Sequence, residues 1–178
     1  GVFSTQNKDD ILFVSNSLAA GYFKNFGKTR RQGIELGLQG RAAGVDGGVH
    51  DTHLKATYQS TACIVSEPNS TAFDPAAPND NTVCTNETEI EVRPGDRLPG
   101  IPQHLLKFDL GWRATSTFKL GANVTAQSGT FVRGNENNRH QPDGVDFFGS
   151  GRTAGLGVLN PDGAWDIAKG LTPVGQIN

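Results

Sequence analysis

The sequence has no methionine and two cysteines among 178 residues, and only 35% of it is hydrophobic. Soluble domains usually carry about 45–50% apolar residues when glycine is counted with them. Here much of such a count would be the 23 glycines. No apolar run approaches the ~18 residues that a membrane-crossing helix needs, which excludes a helical span. Positive charge is also short. Sixteen Lys and Arg against 18 Asp and Glu give a net charge of −2, so there is no basic footprint and no nucleic-acid partner is expected. No secretory leader is visible and residue 1 is Gly, so the chain reads as a processed product or a piece of something larger. Its length suffices for one ordinary domain.

Motifs of catalysis are equally scarce. "HDTH" holds His50 and His53 three apart, which on a strand puts them on opposite faces and argues against chelation by that pair. "GSGRTAGLG" has glycines at 149, 151, 155 and 157, which fits neither a dinucleotide fingerprint nor a phosphate loop. No Ser–His–Asp or Cys–His set can be assembled. The sequons at Asn69, Asn86 and Asn123 are frequent by chance. No enzyme, no cofactor and no metal are expected.

What is present is alternation. In "RRQGIELGLQGRAAG", Ile34, Leu36 and Leu38 share one parity, and Gly33, Glu35, Gly37 and Gln39 the other. Leu54, Ala56 and Tyr58 oppose His53, Lys55, Thr57 and Gln59. Leu106, Phe108, Leu110 and Trp112 oppose Lys107, Asp109, Gly111 and Arg113. Phe118, Leu120, Ala122, Val124 and Ala126 oppose Lys119, Gly121, Asn123, Thr125 and Gln127. Leu159, Trp165 and Ile167 oppose Asn160, Asp162 and Asp166. A period of two without a helical period predicts an all-β antiparallel structure.

The connections between these segments alternate in length. Short ones fall at 42–48, 114–117 and 168–171, and long ones at 15–25, 63–100 and 135–153. In an up-and-down sheet this gathers tight turns at one end and long loops at the other, the asymmetry of transmembrane β-barrels. Such strands are apolar outward and polar inward. Ile34, Leu36 and Leu38 would face lipid, Glu35 and Gln39 the lumen, and Gly33 and Gly37 would leave that lumen space. A soluble antiparallel sandwich also alternates. The unbroken strand over 28–41, the one-sided long loops, and the aromatics Trp112, Phe118 and Trp165 beside short turns favour the barrel.

Four stretches carry a family resemblance. "YFKNFGKTRRQGIELGLQGR" (22–41) resembles a late-barrel strand of TonB-dependent outer-membrane receptors, with their N-x-G-K-T-R-x-x-G-x-E-L signature. "PGDRLPGIPQHLLKFDLGWR" (94–113) resembles the next strand with its R-L-P-G-I-P-x-H entry. "KLGANVTAQSGTFVRGNENN" (119–138) and "VLNPDGAWDIAKGLTPVGQIN" (158–178) resemble the two that follow, although Pro161 and Pro173 stand where the family usually has apolar strand residues. The resemblance implies a 22-stranded barrel with an N-terminal plug, importing ferric siderophores or similar scarce nutrients with energy delivered through TonB. Residues 1–178 would be a partial barrel domain of about seven strands, without plug or terminal strands. A passive porin-like barrel and a soluble β-sheet binding module are the alternatives.

On this reading Ile34, Leu36, Leu38, Leu106, Phe108, Leu110, Trp112, Leu120 and Val124 face the lipid of the bacterial outer membrane. The family's ligand sites lie among inward-facing loop residues on the extracellular side. The candidates here are Arg133, Asn135, Arg139, His140, Phe147, Phe148 and Arg152. Arginine offers forked donors to carboxylate or catecholate oxygens, and an aromatic face can stack on a flat chelate. Cys63 and Cys84 bound a loop of exposed-loop composition, and a disulfide between them is expected in an oxidising compartment.

Overall fold

The computed structural model describes residues 1–15, 20–77 and 82–177. Residues 16–19 of the first long connection, 78–81 of the cysteine-bounded loop and the terminal Asn178 lie outside the described residues.

Among the described residues there is no helix. Seven strands form one meandering sheet: β1 (Val2–Asn7), β4 (Thr29–Ala42), β5 (Val45–Tyr58), β8 (His104–Arg113), β9 (Phe118–Gln127), β10 (Leu156–Trp165) and β11 (Val174–Gln176), in that spatial order. Each runs antiparallel to its neighbours. The sheet does not close on itself. Two hairpins stand apart from it, β2 (Ile11–Ser15) with β3 (Gly21–Asn25) and β6 (Ala62–Val65) with β7 (Glu89–Val92). Both lie in stretches that read from sequence mainly as long loops. The β1–β4, β5–β8 and β9–β10 connections are long and emerge at one end, and the other three are short and emerge at the opposite end.

The β4–β5 connection is shorter than its glycine content suggests. Ala43 and Gly44 alone make the turn, both with positive φ (49° and 81°). That is the two-residue hairpin whose twist matches its flanking strands. Gly47 and Gly48, expected in a loop over 42–48, are strand residues paired with Leu110 and Asp109.

Register assigns the faces, because directly opposed residues in an antiparallel pair share one. Ile34, His53 and His104 lie in one row, Leu36, Asp51 and Leu106 in the next, then Leu38, Val49, Phe108, Val124 and Leu159. Leu110 with Ala122, Trp112 with Leu120, and Phe118 with Trp165 complete the face towards the short turns. Among the described residues no second layer covers this apolar face. Leu36 and Leu38 are 64% and 72% exposed, and none of the nine residues expected to face lipid is buried.

The opposite face is polar, and its glycines are not empty space. A side chain at Gly37 would meet the His50 ring at 3.0 Å, and one at Gly48 the Asp109 carboxylate at 2.9 Å. Gly111 lies beneath Asp46, Gly121 beneath Asp162, and Gly33 beneath Phe3. Each glycine is a floor for a bulky side chain of the adjoining strand, so the expected room at Gly33 and Gly37 is already filled.

The buried core sits at the long-loop end. Val14, Phe26, Ala56, Tyr58, Ile64, Ile90, Val92 and Leu98 pack together there. Ala56 and Tyr58 belong to the polar-face parity of β5, so the strand turns its apolar residues inward once it leaves the apolar band. Pro161 lies inside β10 without breaking the β9 ladder. Its carbonyl accepts from Ile177 N at 3.0 Å, so its donor-less nitrogen faces β11. Pro173 sits just before β11, its carbonyl accepting from Trp165 N at 3.1 Å.

Candidate functional site

The long-loop end is built from two connections zipped together. Gly134 has φ of 93°, and its carbonyl receives both Ser66 Oγ and Asn69 Nδ2 at 2.7 Å. Asn137 Nδ2 donates to Thr71 Oγ1 at 2.7 Å, and Ser70 N to His140 Nδ1 at 3.0 Å. Asn138 exchanges two bonds with the Arg97 backbone, at 2.6 and 3.1 Å. Arg139 donates to the Glu91 carbonyl and pairs with Asp96 at 3.1 Å. These side chains take over the backbone hydrogen bonds that an irregular chain cannot make for itself.

The Cys63–Cys84 disulfide ties the connection containing β6 and β7, with a Cα–Cα separation of 5.6 Å. Lys24 Nζ donates to the Cys63 carbonyl and so attaches the β2–β3 hairpin to it.

Glu136 is buried inside the zipped region. Its Oε2 accepts from Gly134 N at 2.9 Å, while its Oε1 has no protein partner among the described residues. Burial pushes its carboxyl above the usual range, with the Gly134 amide and the charge of Arg133 opposing. Burial also raises Asp96, against the Arg93 amide and the Arg139 charge.

A cleft of about 320 Å³ opens beside this region. Five of the seven sequence candidates line it: Arg133, Asn135, His140, Phe148 and Arg152. They divide into two groups. Asn135 is buried, accepting from His140 N and donating to the Gly151 carbonyl, both at 3.1 Å. His140 is held at both ring nitrogens, its Nε2 lying 3.2 Å from the Gly149 carbonyl. These two shape the wall. Arg133, Arg152 and Phe148 present charge and ring to solvent, Phe148 being 75% exposed.

Arg139 and Phe147 are not in the cleft lining. Arg139 is engaged by Asp96, and Phe147 stands edge-on to the His140 ring at 6.0 Å. The Phe147 turn is fixed by Asp143 Oδ1, which accepts from three successive amides, Val145, Asp146 and Phe147.

Sequence reading missed the supports of the two exposed arginines. Arg133 lies 5.0 Å from the Phe13 ring centroid. Arg152 and Arg97 lie 4.5 and 5.4 Å from that of Phe131. No local motif marks these contacts, since each joins separate connections. His53 likewise meets His104, not His50, with ring centroids 4.5 Å apart.

A single-layer, up-and-down antiparallel sheet with one uncovered apolar face and long zipped loops at one end is the wall of a β-barrel of receptor type. The chain belongs to the TonB-dependent receptor β-barrel family: the model described as "TonB dependent receptor-like, beta-barrel" matches residues 1–177. Two solved structures are similar in fold. The siderophore receptor PiuA from Acinetobacter baumannii aligns at 11% identity with a TM-score of 0.57, over 96% of this chain and 20% of that one. The ferric-catecholate import receptor Fiu from K12 E. coli, in its closed form, aligns at 16% identity with a TM-score of 0.56, over 96% and 19%. This chain therefore spans about a fifth of the length of each receptor.

Proposed function

We propose that this chain forms part of the wall and loop rim of a bacterial outer-membrane receptor. The receptor takes up a ferric siderophore or a similar scarce nutrient, drawing energy through TonB, and carries out no chemistry on its ligand. Ile34, Leu36, Leu38, Leu106, Phe108, Leu110, Trp112, Leu120 and Val124 face lipid.

The observation that carries the ligand assignment is the cleft at the long-loop end, where Arg133, Arg152 and Phe148 are offered on a frame held by Asn135 and His140. Two forked cations beside an exposed ring suit an anionic, planar chelate. Arg139 and Phe147 act behind them, holding the frame. Membership of a receptor family and likeness to two siderophore receptors favour this reading over a passive pore.

The test is uptake of radiolabelled iron by iron-starved cells carrying the full-length receptor. Arg133→Ala/Arg152→Ala should lower the receptor's affinity for its ferric chelate at least tenfold, with folded receptor still present in the outer membrane. Uptake independent of TonB, or affinity untouched by the double substitution, would refute the assignment.

A further inference from the structure

Two strands of the wall bring together a histidine pair that sequence spacing hides. His53 of β5 and His104 of β8 stand directly opposite each other on the apolar side of the sheet, 51 residues apart in the chain. Leu54 N donates to the Gln103 carbonyl at 2.9 Å, which makes the two histidines a non-hydrogen-bonded pair. In such a pair the Cα atoms approach to about 4.5 Å and the side chains are at their closest. The ring centroids are 4.5 Å apart. His53 Nδ1 lies 3.2 Å from His104 Nε2 and 3.4 Å from His104 Nδ1.

Both backbones are held. Ser128 Oγ accepts from Gln103 N and His104 N, at 2.8 and 3.1 Å, and Ser128 N donates to the His104 carbonyl at 3.0 Å. His53 is laced on its other side to β4, opposite Ile34. Neither ring has a further hydrogen-bond partner among the described residues, and His104 is exposed.

The nitrogen spacing is that of two ligands on one metal ion. Zinc–imidazole bonds of about 2.0–2.1 Å at a tetrahedral angle set two nitrogens about 3.3–3.4 Å apart. A hydrogen bond between neutral rings has a similar length, and charge separates the two cases. Asp51 lies one pair along β5 on the same side, between Leu36 and Leu106. It is the only acid on the apolar side of the sheet's described strands, and it has no ion-pair partner among the described residues. Neutral rings leave that carboxylate without a counter-charge, whereas a divalent ion about 7 Å along the strand supplies one. Lys55, on the far side of His53, is exposed and can turn its ammonium to solvent.

We propose that His53 and His104 form a site for a divalent transition-metal ion of the zinc class. Imidazole suits such ions, whereas magnesium and calcium take oxygen ligands. The two rings supply half of a tetrahedral shell and water the remainder, with Asp51 accepting a hydrogen bond from a bound water. The ion staples β5 to the start of β8, where the sheet gives way to the long-loop end. The site needs only the β5–β8 register, and is independent of the ligand that the loops take.

The test is zinc chloride titrated calorimetrically into the full-length, untagged receptor in neutral detergent after treatment with chelator. His53→Gln and His104→Gln should each weaken zinc binding at least about tenfold, since loss even of a ligand's outer partner costs that much. The double variant should be little worse than either single one, because one remaining ring cannot chelate. His50→Gln, on the polar face, should leave zinc binding unchanged, and magnesium should not compete. Zinc affinity equal in the double variant and the parent, or lost in only one of the single variants, would overturn the site. Copper(II) bound to the parent gives a readout that needs no variant. Its electron paramagnetic resonance spectrum should show two imidazole nitrogens, and ligation by oxygen alone would also overturn the site.

Discussion

The backbone amide of Ser70 donates to Nδ1 of His140 at 3.0 Å, across a separation of 70 residues. With Nδ1 accepting, the ring proton sits on Nε2 and is donated to the Gly149 carbonyl. One imidazole thus joins the two zipped connections and the far lip of the cleft. His140→Ala would leave a part-buried amide and a carbonyl without partners, costing about 1–3 kcal/mol of local stability. Amide exchange in the full-length receptor should accelerate around Ser70 and residues 149–151. Undiminished protection there would show that the clasp does not depend on the histidine.

Glu136 gives the same region a pH dependence. Its folded-state carboxyl is raised by burial, so the folded loops bind a proton that the opened loops release. Loop stability should therefore fall as pH rises from the usual carboxylate range through the raised folded value, and level off beyond it. Glu136→Gln should flatten that slope, leaving the part due to Asp96, which burial also raises, and strengthen protection of residues 134–140 at neutral pH. Exchange rates corrected for intrinsic pH dependence give the measurement, and a slope unchanged in the variant would assign the effect to another group.

The Cys63–Cys84 bridge closes a long, irregular loop. Its loss should cost roughly 3 kcal/mol in the chain-entropy model. Reduction should expose the β6–β7 hairpin to protease while the seven-stranded sheet keeps its protection. Mass spectrometry of native protein should detect no alkylatable thiol without reductant, and two after it.

Leu36 and Glu35 test the two faces by adjacent substitutions. Leu36→Arg should cost about 2–4 kcal/mol near the bilayer midplane. Glu35→Gln on the polar face should cost little. Folded-barrel yield in outer membranes is the readout, and equal tolerance at both positions would contradict the face assignment.

Much of the sheet was legible because period two needs only neighbours in sequence. The long strand over 28–41 is β4, and the three short connections fall where expected, though the first is tighter and the last longer, running over 166–173 so that Ile167 lies outside β10. Parity does not say which face a run occupies. Leu54, Ala56 and Tyr58 alternate just as Leu106, Phe108 and Leu110 do, yet point to the opposite side, because β5 runs past the apolar band into the loop core. Gly47 and Gly48 suggested a turn, since glycine's freedom is visible in sequence whereas the Asp109 side chain lying over Gly48 is not. The long connections yielded candidate residues but not their roles. Asn135 and Arg152 have similar surroundings in sequence, and only tertiary contacts make one a strut and the other an exposed cation.

The two prolines that interrupt the expected strand pattern set the strength of one seam. In the β10–β11 ladder, Trp165 donates to Pro173 and Ile177 to Pro161, and neither proline can return the bond. Both outer rungs are thus half-made around the central Gly163–Gly175 pair. Meanwhile β4 and β5 are laced over fourteen consecutive pairs. Under mechanical load this wall is a stiff plank with one perforated edge, and tearing would start between β10 and β11. Amide exchange of Trp165 and Ile177 faster than that of residues 32–40 would register the perforation directly.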